Sequence, residues 1–398
     1  MDVLRFALAL LTLLAVTPVA VYCLEVIAGC WSRRRIANMK STAGRPRIAV
    51  IVPAHNEEAG IGATLASIQP QLAPGDRLLV VADNCSDATA RVARESGATA
   101  LERRDEYRRG KGFALDFALK HLSSEPPDVV LFFDADCRLG PQTVEILARE
   151  AASRQRPVQC LNLCEATASG GPQQRISALA FRFKNLVRTA GMSRLGGGCY
   201  LTGTGMALPW NLVDKVPWAT GNVVEDMQLG IDFTLAGYPP VFAPAALVRS
   251  ELPELEAGLL TQRRRWEHGF LATACSQVPL LMSQAAERRS WALVVLALDL
   301  MVPPLALLSL ALISASLVTL LIYLVGLGAW PLAIVTTAAC GFASATLLGW
   351  YIHCRDVVPL TLWLQVPRYA LAKIPLYLEF LTRREQQWIR TERTAARR

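Results

Sequence analysis

Apolar positions are concentrated towards the two ends of the chain, and shorter apolar runs separated by polar breaks fill the middle. Residues 6–27 are apolar except for Thr12, Thr17, Pro18 and Glu25. Coiled as one helix, this stretch reaches roughly 30 Å, enough to span the hydrocarbon core of a bilayer. Two more runs, at about 301–325 and 331–352, flank the turn Gly326-Leu327-Gly328-Ala329-Trp330-Pro331 and predict a pair of spans. Residues 357–381 are apolar but carry Arg368 and Lys373. They predict an interfacial amphipathic helix, with a fourth span as the alternative.

Between the ends, residues 47–250 alternate strand and helix signals. The continuous apolar runs 47–54, 78–82 and 129–133 predict buried strands, with helices over 58–69 and 88–96. Uninterrupted apolar strands alternating with helices point to a parallel sheet covered on both faces. The resulting division is a membrane helix at 1–31, a basic linker at 32–46, an α/β domain at 47–255, interfacial helices at 256–290, two spans at 291–353, and an interfacial helix with a basic tail at 354–398.

Composition agrees with a membrane protein carrying a soluble middle: 52% of the 398 residues are hydrophobic and only 19% are charged. Arg33, Arg34, Arg35, Lys40, Arg45 and Arg47 come after the first span with no acid between them. That bias places the residues beyond the span in the cytoplasm, and the Arg-rich end of the chain agrees. A cleaved signal peptide is disfavoured, because Arg5 is the only early cation and faces Asp2; Tyr22 before Cys23 disfavours a lipoprotein site. The net charge of +8 is largely accounted for by the membrane flanks and makes no case for nucleic acid. Ten cysteines without a C-x-x-C pair read as reduced core residues, not as a zinc site.

Ligands of parallel α/β sheets bind at the carboxyl ends of the strands. All three strand ends here carry polar or acidic groups: His55-Asn56-Glu57, Asp83-Asn84, and Asp134 with Asp136. One such loop is ordinary turn chemistry, but three on one edge are hard to explain that way. Asp134 and Asp136, one residue apart, repel each other unless a cation lies between them. Oxygen-only ligation suits Mg2+ or Mn2+, whose shells substrate phosphates often complete; an acidic turn before the next helix is the alternative. Gly110-Lys111-Gly112 lacks the rest of a P-loop, and no G-x-G-x-x-G comes after the first strand. Lys111 is left as either a diphosphate contact or part of a flexible turn.

The run Gln262-Arg263-Arg264-Arg265-Trp266 lies just before the C-terminal spans. Three adjacent guanidiniums repel one another unless an anion neutralises them. On a helix, Gln262, Arg265 and Trp266 share a face at i, i+3 and i+4. A clamp for an anionic ligand and a basic anchor at the anionic leaflet both fit. The two stay open on these residues alone.

With these residues in this order, the chain resembles the membrane-embedded family 2 glycosyltransferases, which include the cellulose, hyaluronan and poly-N-acetylglucosamine synthases. The resemblance covers about residues 46–270 and rests on Pro53-Ala54-His55-Asn56-Glu57-Glu58, Asp83, Asp134-Ala135-Asp136, Gly203-Thr204-Gly205, Glu225-Asp226 and Gln262–Trp266. It implies a GT-A α/β domain in the cytoplasm, joined to α-helical transmembrane segments of the inner membrane. It implies that Pro53, His55, Glu57 and Asp83 hold the uracil and ribose of a UDP-sugar, and that Lys111 approaches its diphosphate. It implies that Asp134 and Asp136 bind nucleotide and metal, Mg2+ or Mn2+, and that Asp226 is the catalytic base. Gly203, Thr204, Gly205 and Glu225 then receive the acceptor, while Gln262, Arg265 and Trp266 face the chemistry, gripping the diphosphate and bordering the acceptor, which leaves Arg263 and Arg264 for the anchor. The implied activity is inverting transfer that builds a β-linked polysaccharide, the alternative being transfer of one sugar to a membrane lipid. Membrane lipids and the growing glycan are implied partners, with room for export partner subunits.

Overall fold

Three apolar runs legible in the sequence lie side by side as parallel strands: β1 (Ile48–Ala54), flanked by β2 (Arg77–Asp83) and β4 (Val129–Phe132). The computed structural model describes residues 2–31, 44–219, 224–253 and 256–382. The basic residues 33–35 and 40, and the Arg-rich end beyond 382, lie outside the described residues. The chain divides into two units, one built on a sheet and one of helices.

The sheet unit comprises the described parts of Arg33–Glu165 and Gly198–Pro253. Five more strands complete its sheet: β3 (Thr99–Arg103), β5 (Cys137–Leu139), β6 (Val158–Glu165), β7 (Met206–Pro209) and β8 (Val241–Glu251). The order is β3-β2-β1-β4-β7-β6-β8-β5. Both faces are covered, which is why β1 reads as an unbroken apolar run. Side chains alternate across the pleat. Ile48, Val50 and Val52 pack with helices Ile61–Ile68 and Thr143–Arg154, while Ala49 and Ile51 pack with helices Lys111–Leu122 and Glu225–Leu235. Edge strand β3, half exposed and ending in Glu102 and Arg103, has no such run to betray it in the sequence.

One reversal matters for function. β7 runs antiparallel to β4, with Met206 opposite Phe132. The turn 203–205 that leads into β7 is thereby brought to the edge where β4 delivers Asp134.

The helical unit comprises the described parts of Met1–Ser32, Ala166–Gly197 and Glu254–Glu385. It therefore takes Ala166–Gly197 from within the stretch 47–255 that reads as one domain in the sequence. Helices Leu305–Leu324 and Trp330–His353 are long and apolar enough to cross a membrane. Leu317, Leu321 and Leu324 lie on the outside of the first, each about 60% exposed or more, an apolar surface suited to lipid.

Two expectations are corrected. The N-terminal run is not one helix but Asp2–Ala15 followed by Thr17–Cys30, bent by 41° at the break. Pro18 lacks an amide hydrogen and its ring crowds the carbonyl four residues back, so it starts a helix and does not continue one. Residues 357–381 are likewise not one amphipathic helix but three short pieces, Leu360–Gln365, Val366–Leu371 and Ile374–Thr382. Pro359 immediately precedes the first, and Pro367 and Pro375 are the second residues of the other two.

Helix Thr17–Cys30 packs on Phe183–Arg188 and Thr189–Arg194 by backbone contact. A Cβ on Gly29 would lie 2.0 Å from the Val187 carbonyl oxygen, and one on Gly191 would lie 1.9 Å from that of Glu25. Only glycine fits at either position. This approach brings Arg188 to Glu25, with Asp299 of helix Trp291–Leu300 beside them.

Candidate active site

The carboxyl ends of β1, β2 and β4 lie on one edge of the sheet, and hydrogen bonds tie the ends of β1 and β2 together. Asn56 and Asn84 come just after β1 and β2 in the left-handed backbone region, at φ 55° and 51°, which asparagine tolerates. Asn56 Oδ1 accepts from the Ser86 amide at 2.8 Å, and Asn84 Oδ1 accepts from the Asp105 amide at 2.8 Å. His55 Nδ1 donates to the Asp83 carbonyl at 2.7 Å, and the Glu57 amide donates to Thr89 Oγ1 at 2.8 Å. Pro53, the penultimate residue of β1, is partly exposed at the same end.

Asp83 is buried and paired with Arg103 Nη1 at 2.6 Å. Asp83 and Arg103 are register partners on β2 and β3. Arg103 also donates to the Arg108 carbonyl at 2.7 Å, tying the loop after β3 to this edge. Arg103 carries no signal in the sequence, because its strand is half exposed and has no apolar run.

Beyond β4, the Asp134 amide donates to Thr204 Oγ1 at 3.1 Å. Thr204 is buried, and its carbonyl accepts from Gln159 Nε2 at 2.9 Å. Gly205, at φ 66°, packs so closely that a Cβ would fall 1.9 Å from Cys160 Sγ. These two residues shape the turn from inside, and the Thr204 side chain is turned to Asp134 and not to solvent. Burial pushes the Cys137 thiol up to about 12, with the Asp134 charge adding to it, so this cysteine stays a neutral packing group.

Lys111 is not part of a flexible turn. It opens helix Lys111–Leu122, and its ammonium is bound to Asp134 Oδ1 and to the Gly203 carbonyl, the latter at 2.8 Å. Gly203 lies between the lysine and the acid of the next element: a Cβ there would sit 2.9 Å from Lys111 Nζ and 3.1 Å from Asp226 Oδ2. Burial works against the lysine's charge, but Asp134, Glu225 and Asp226 more than offset this and hold it above the usual lysine range. Glu225 and Asp226 occupy the first turn of helix Glu225–Leu235, where the dipole favours anions.

Lys111, Gly203, Glu225 and Asp226 line a small cleft that also takes in Trp218, Gln228 and Asp232. Trp218 is fixed by its indole N–H, which donates to the Val213 carbonyl at 2.8 Å, and by its ring against Phe132. Gln228 Nε2 donates to Asp232 Oδ1 at 2.8 Å, and burial raises the Asp232 carboxyl. None of these three stands out in the sequence; the one available signal is the i, i+4 spacing of Gln228 and Asp232 from the helix start.

Asp136 is partly exposed, one residue past the buried Ala135. Among the described residues no three or more His, Cys, Asp or Glu side chains group to hold a metal ion. Asp134 and Asp136 are carboxylates one residue apart at this edge, oxygen donors of the type that Mg2+ and Mn2+ take.

The basic run belongs to the helical unit, on helix Glu256–Arg288. Gln262 is buried there, and Trp266 packs against Phe181 with ring centroids 5.6 Å apart. Arg265 is partly exposed. Arg263 is not a surface anchor. It is buried, bound to Ser177 Oγ and the Gln173 carbonyl, and its guanidinium lies 5.1 Å from the Tyr369 ring centroid. Arg264 is exposed and paired with Glu379 at 2.9 Å. The sharing of one face by Gln262, Arg265 and Trp266 stems from the helix, but the cover over its other faces was beyond spacing to reveal.

Residues 46–269 match the family described as "Glycosyltransferase like family 2". The chain is 28% identical over 251 residues to "Probable glycosyltransferase YdaM" of Bacillus subtilis, covering 58% of this chain and 56% of that one. It is 26% identical over 254 residues to "Glucomannan 4-beta-mannosyltransferase 7" of Arabidopsis thaliana, covering 57% and 43%. The chain thus spans about half the length of these curated relatives. Among solved structures, the mannosyltransferase PcManGT from Pyrobaculum calidifontis, in complex with GDP-Man and Mn2+, matches with a TM-score of 0.54. That match covers 96% of this chain and 99% of the other at 18% identity, a likeness of fold. The α/β unit is thus GT-A-like, a nucleotide-sugar transferase fold on a mixed sheet.

Proposed function

Because this chain belongs to the family 2-like glycosyltransferases, we propose that it transfers sugar from a UDP donor, with inversion, to build a β-linked polysaccharide at the cytoplasmic face of the inner membrane. The observation that carries the reading is the placement of Asp226 beside Gly203 and Lys111 in one cleft, with Lys111 bound in turn to Asp134. The attacking hydroxyl must lose a proton as it reaches the anomeric carbon, and Asp226 is the carboxylate to take it. One base suffices for a single displacement, which converts an α-linked donor into a β-linkage. A relative named for 4-beta-mannosyl transfer to glucomannan supports a polymeric, β-linked product.

Pro53, His55, Glu57 and Asp83 are assigned to the nucleoside. Asp83 is held by Arg103, and the His55 ring is held by the Asp83 carbonyl, so both arrive pre-oriented. Asp134 and Asp136 hold Mg2+ or Mn2+, and Lys111 adds a fixed positive charge beside them. When bound, the ion neutralises charge that develops on the departing diphosphate. Gly203, lacking a Cβ, lets its backbone pass close to Asp226, where the acceptor is assigned with Glu225 at its border, while Thr204 and Gly205 hold that backbone in place from behind. Gln262, Arg265 and Trp266 are assigned by their motif alone: Arg265 to the diphosphate, and Gln262 and Trp266 to the acceptor.

Product analysis tests the reading. Purified protein in nanodiscs, given a panel of radiolabelled UDP-sugars and Mn2+, is expected to yield a ladder of glycan lengths. A product of one sugar on an extracted lipid overturns the polymer reading in favour of single transfer to a lipid acceptor.

A further inference from the structure

We infer that Lys111 is the resting counter-ion of Asp134, and that it keeps a divalent cation from binding tightly until a nucleoside diphosphate arrives. The inference rests on the assignment of Asp134 as a metal ligand.

The ammonium of Lys111 takes two oxygens, Asp134 Oδ1 and the Gly203 carbonyl. Both are oxygens of the kind a hard cation would use. Its place in the fold is costly for the helix. Lys111 is the first residue of Lys111–Leu122, and a cation there opposes the positive end of the helix dipole. Helix stability does not account for it, whereas the acids around it do: Asp134, Glu225 and Asp226 all act on its charge. The lysine side chain is only 18% exposed and its ammonium is bound to two oxygens, which fix it in place. A divalent ion approaching Asp134 alone meets a fixed positive charge at bonding distance. A nucleoside diphosphate brings enough negative charge for lysine and metal to remain together. Metal and donor are then expected to enter as a pair, so the site does not fill with metal while no sugar nucleotide is present.

The test is Mn2+ binding to the full-length protein in detergent, read from the EPR signal of free Mn2+, with and without UDP. Without UDP the wild type is expected to bind weakly, and Lys111→Met to bind on the order of tenfold tighter, the low end of what an adjacent opposite charge does to a carboxylate. Lys111→Arg, which keeps the charge, is expected to stay weak. With UDP the order reverses, because the methionine variant lacks a cation beside the diphosphate. Tight Mn2+ binding by nucleotide-free wild type overturns the inference without any variant, as does Lys111→Met binding no tighter than wild type. If wild type holds no Mn2+ even with UDP, the metal assignment itself falls, and this inference falls with it.

Discussion

Arg188 donates from Nε to Glu25 Oε2 at 2.8 Å inside the helical unit, and both side chains are buried. Its Nη2 donates to Asp299 Oδ1 at 2.7 Å, so one guanidinium serves two carboxylates from different helices. Removing the cation leaves those carboxylates buried without it. Arg188→Met is expected to lower stability by about 3–5 kcal/mol, read as a fall in melting temperature in detergent. Glu25→Gln, which keeps the cation and removes one charge, should cost less. Equal melting of Arg188→Met and wild type would show that the cluster contributes nothing.

The basic run should divide under mutation into a structural and a functional half. Arg263→Leu loses two hydrogen bonds and the stack on Tyr369. It is expected to lower the melting temperature. Arg265→Leu should leave melting unchanged and lower transfer by on the order of 10²-fold, the usual weight of a contact to a developing anion. A variant series in which both behave alike removes the distinction.

Asp226→Asn keeps the shape of the side chain and one acceptor oxygen but cannot serve as a base. Turnover should fall on the order of 10²–10⁴-fold, while UDP affinity by calorimetry stays that of wild type. Retained turnover would assign the base elsewhere.

Arg103 sets the orientation of Asp83 and ties down the loop after β3. For Arg103→Met, the Kd for UDP should rise about tenfold, or about 1.4 kcal/mol, measured on variant protein that retains its secondary structure. Unchanged UDP affinity would free Asp83 from a nucleoside role.

Burial holds the Asp232 carboxyl above its ordinary range, against the opposing bond from Gln228. A carboxyl raised in the folded state binds its proton more tightly there than in the unfolded chain. Stability then falls as pH rises from the ordinary value of 3.8 through the raised folded value, and stays lower above it. Asp232→Asn should therefore melt above wild type at pH 7, with the gap closing as pH drops below about 4. A gap independent of pH would trace the effect to packing, not charge.

Strands β1, β2 and β4 are legible in the sequence because burial on both faces leaves long apolar runs, and their polar ends mark the ligand edge. Edge strand β3 is hidden because only one of its residues is buried, and with it Arg103 is hidden too. The bend at Pro18 and the helix starts at Pro359, Pro367 and Pro375 are local signals that the apolar pattern masks.

The sequence by itself determines the family, the carboxyl-edge acids and the helical face shared by Gln262, Arg265 and Trp266, since each depends on neighbours within a turn or a strand. Only the tertiary structure decides which partners those groups meet. Lys111 finds Asp134 from 23 residues away and the Gly203 carbonyl from 92, and Arg188 finds Glu25 from 163. Periodicity specifies which side of an element is turned inward. The packing of distant elements specifies which charge waits there, and so makes Lys111 a counter-ion and Arg263 a buried tether.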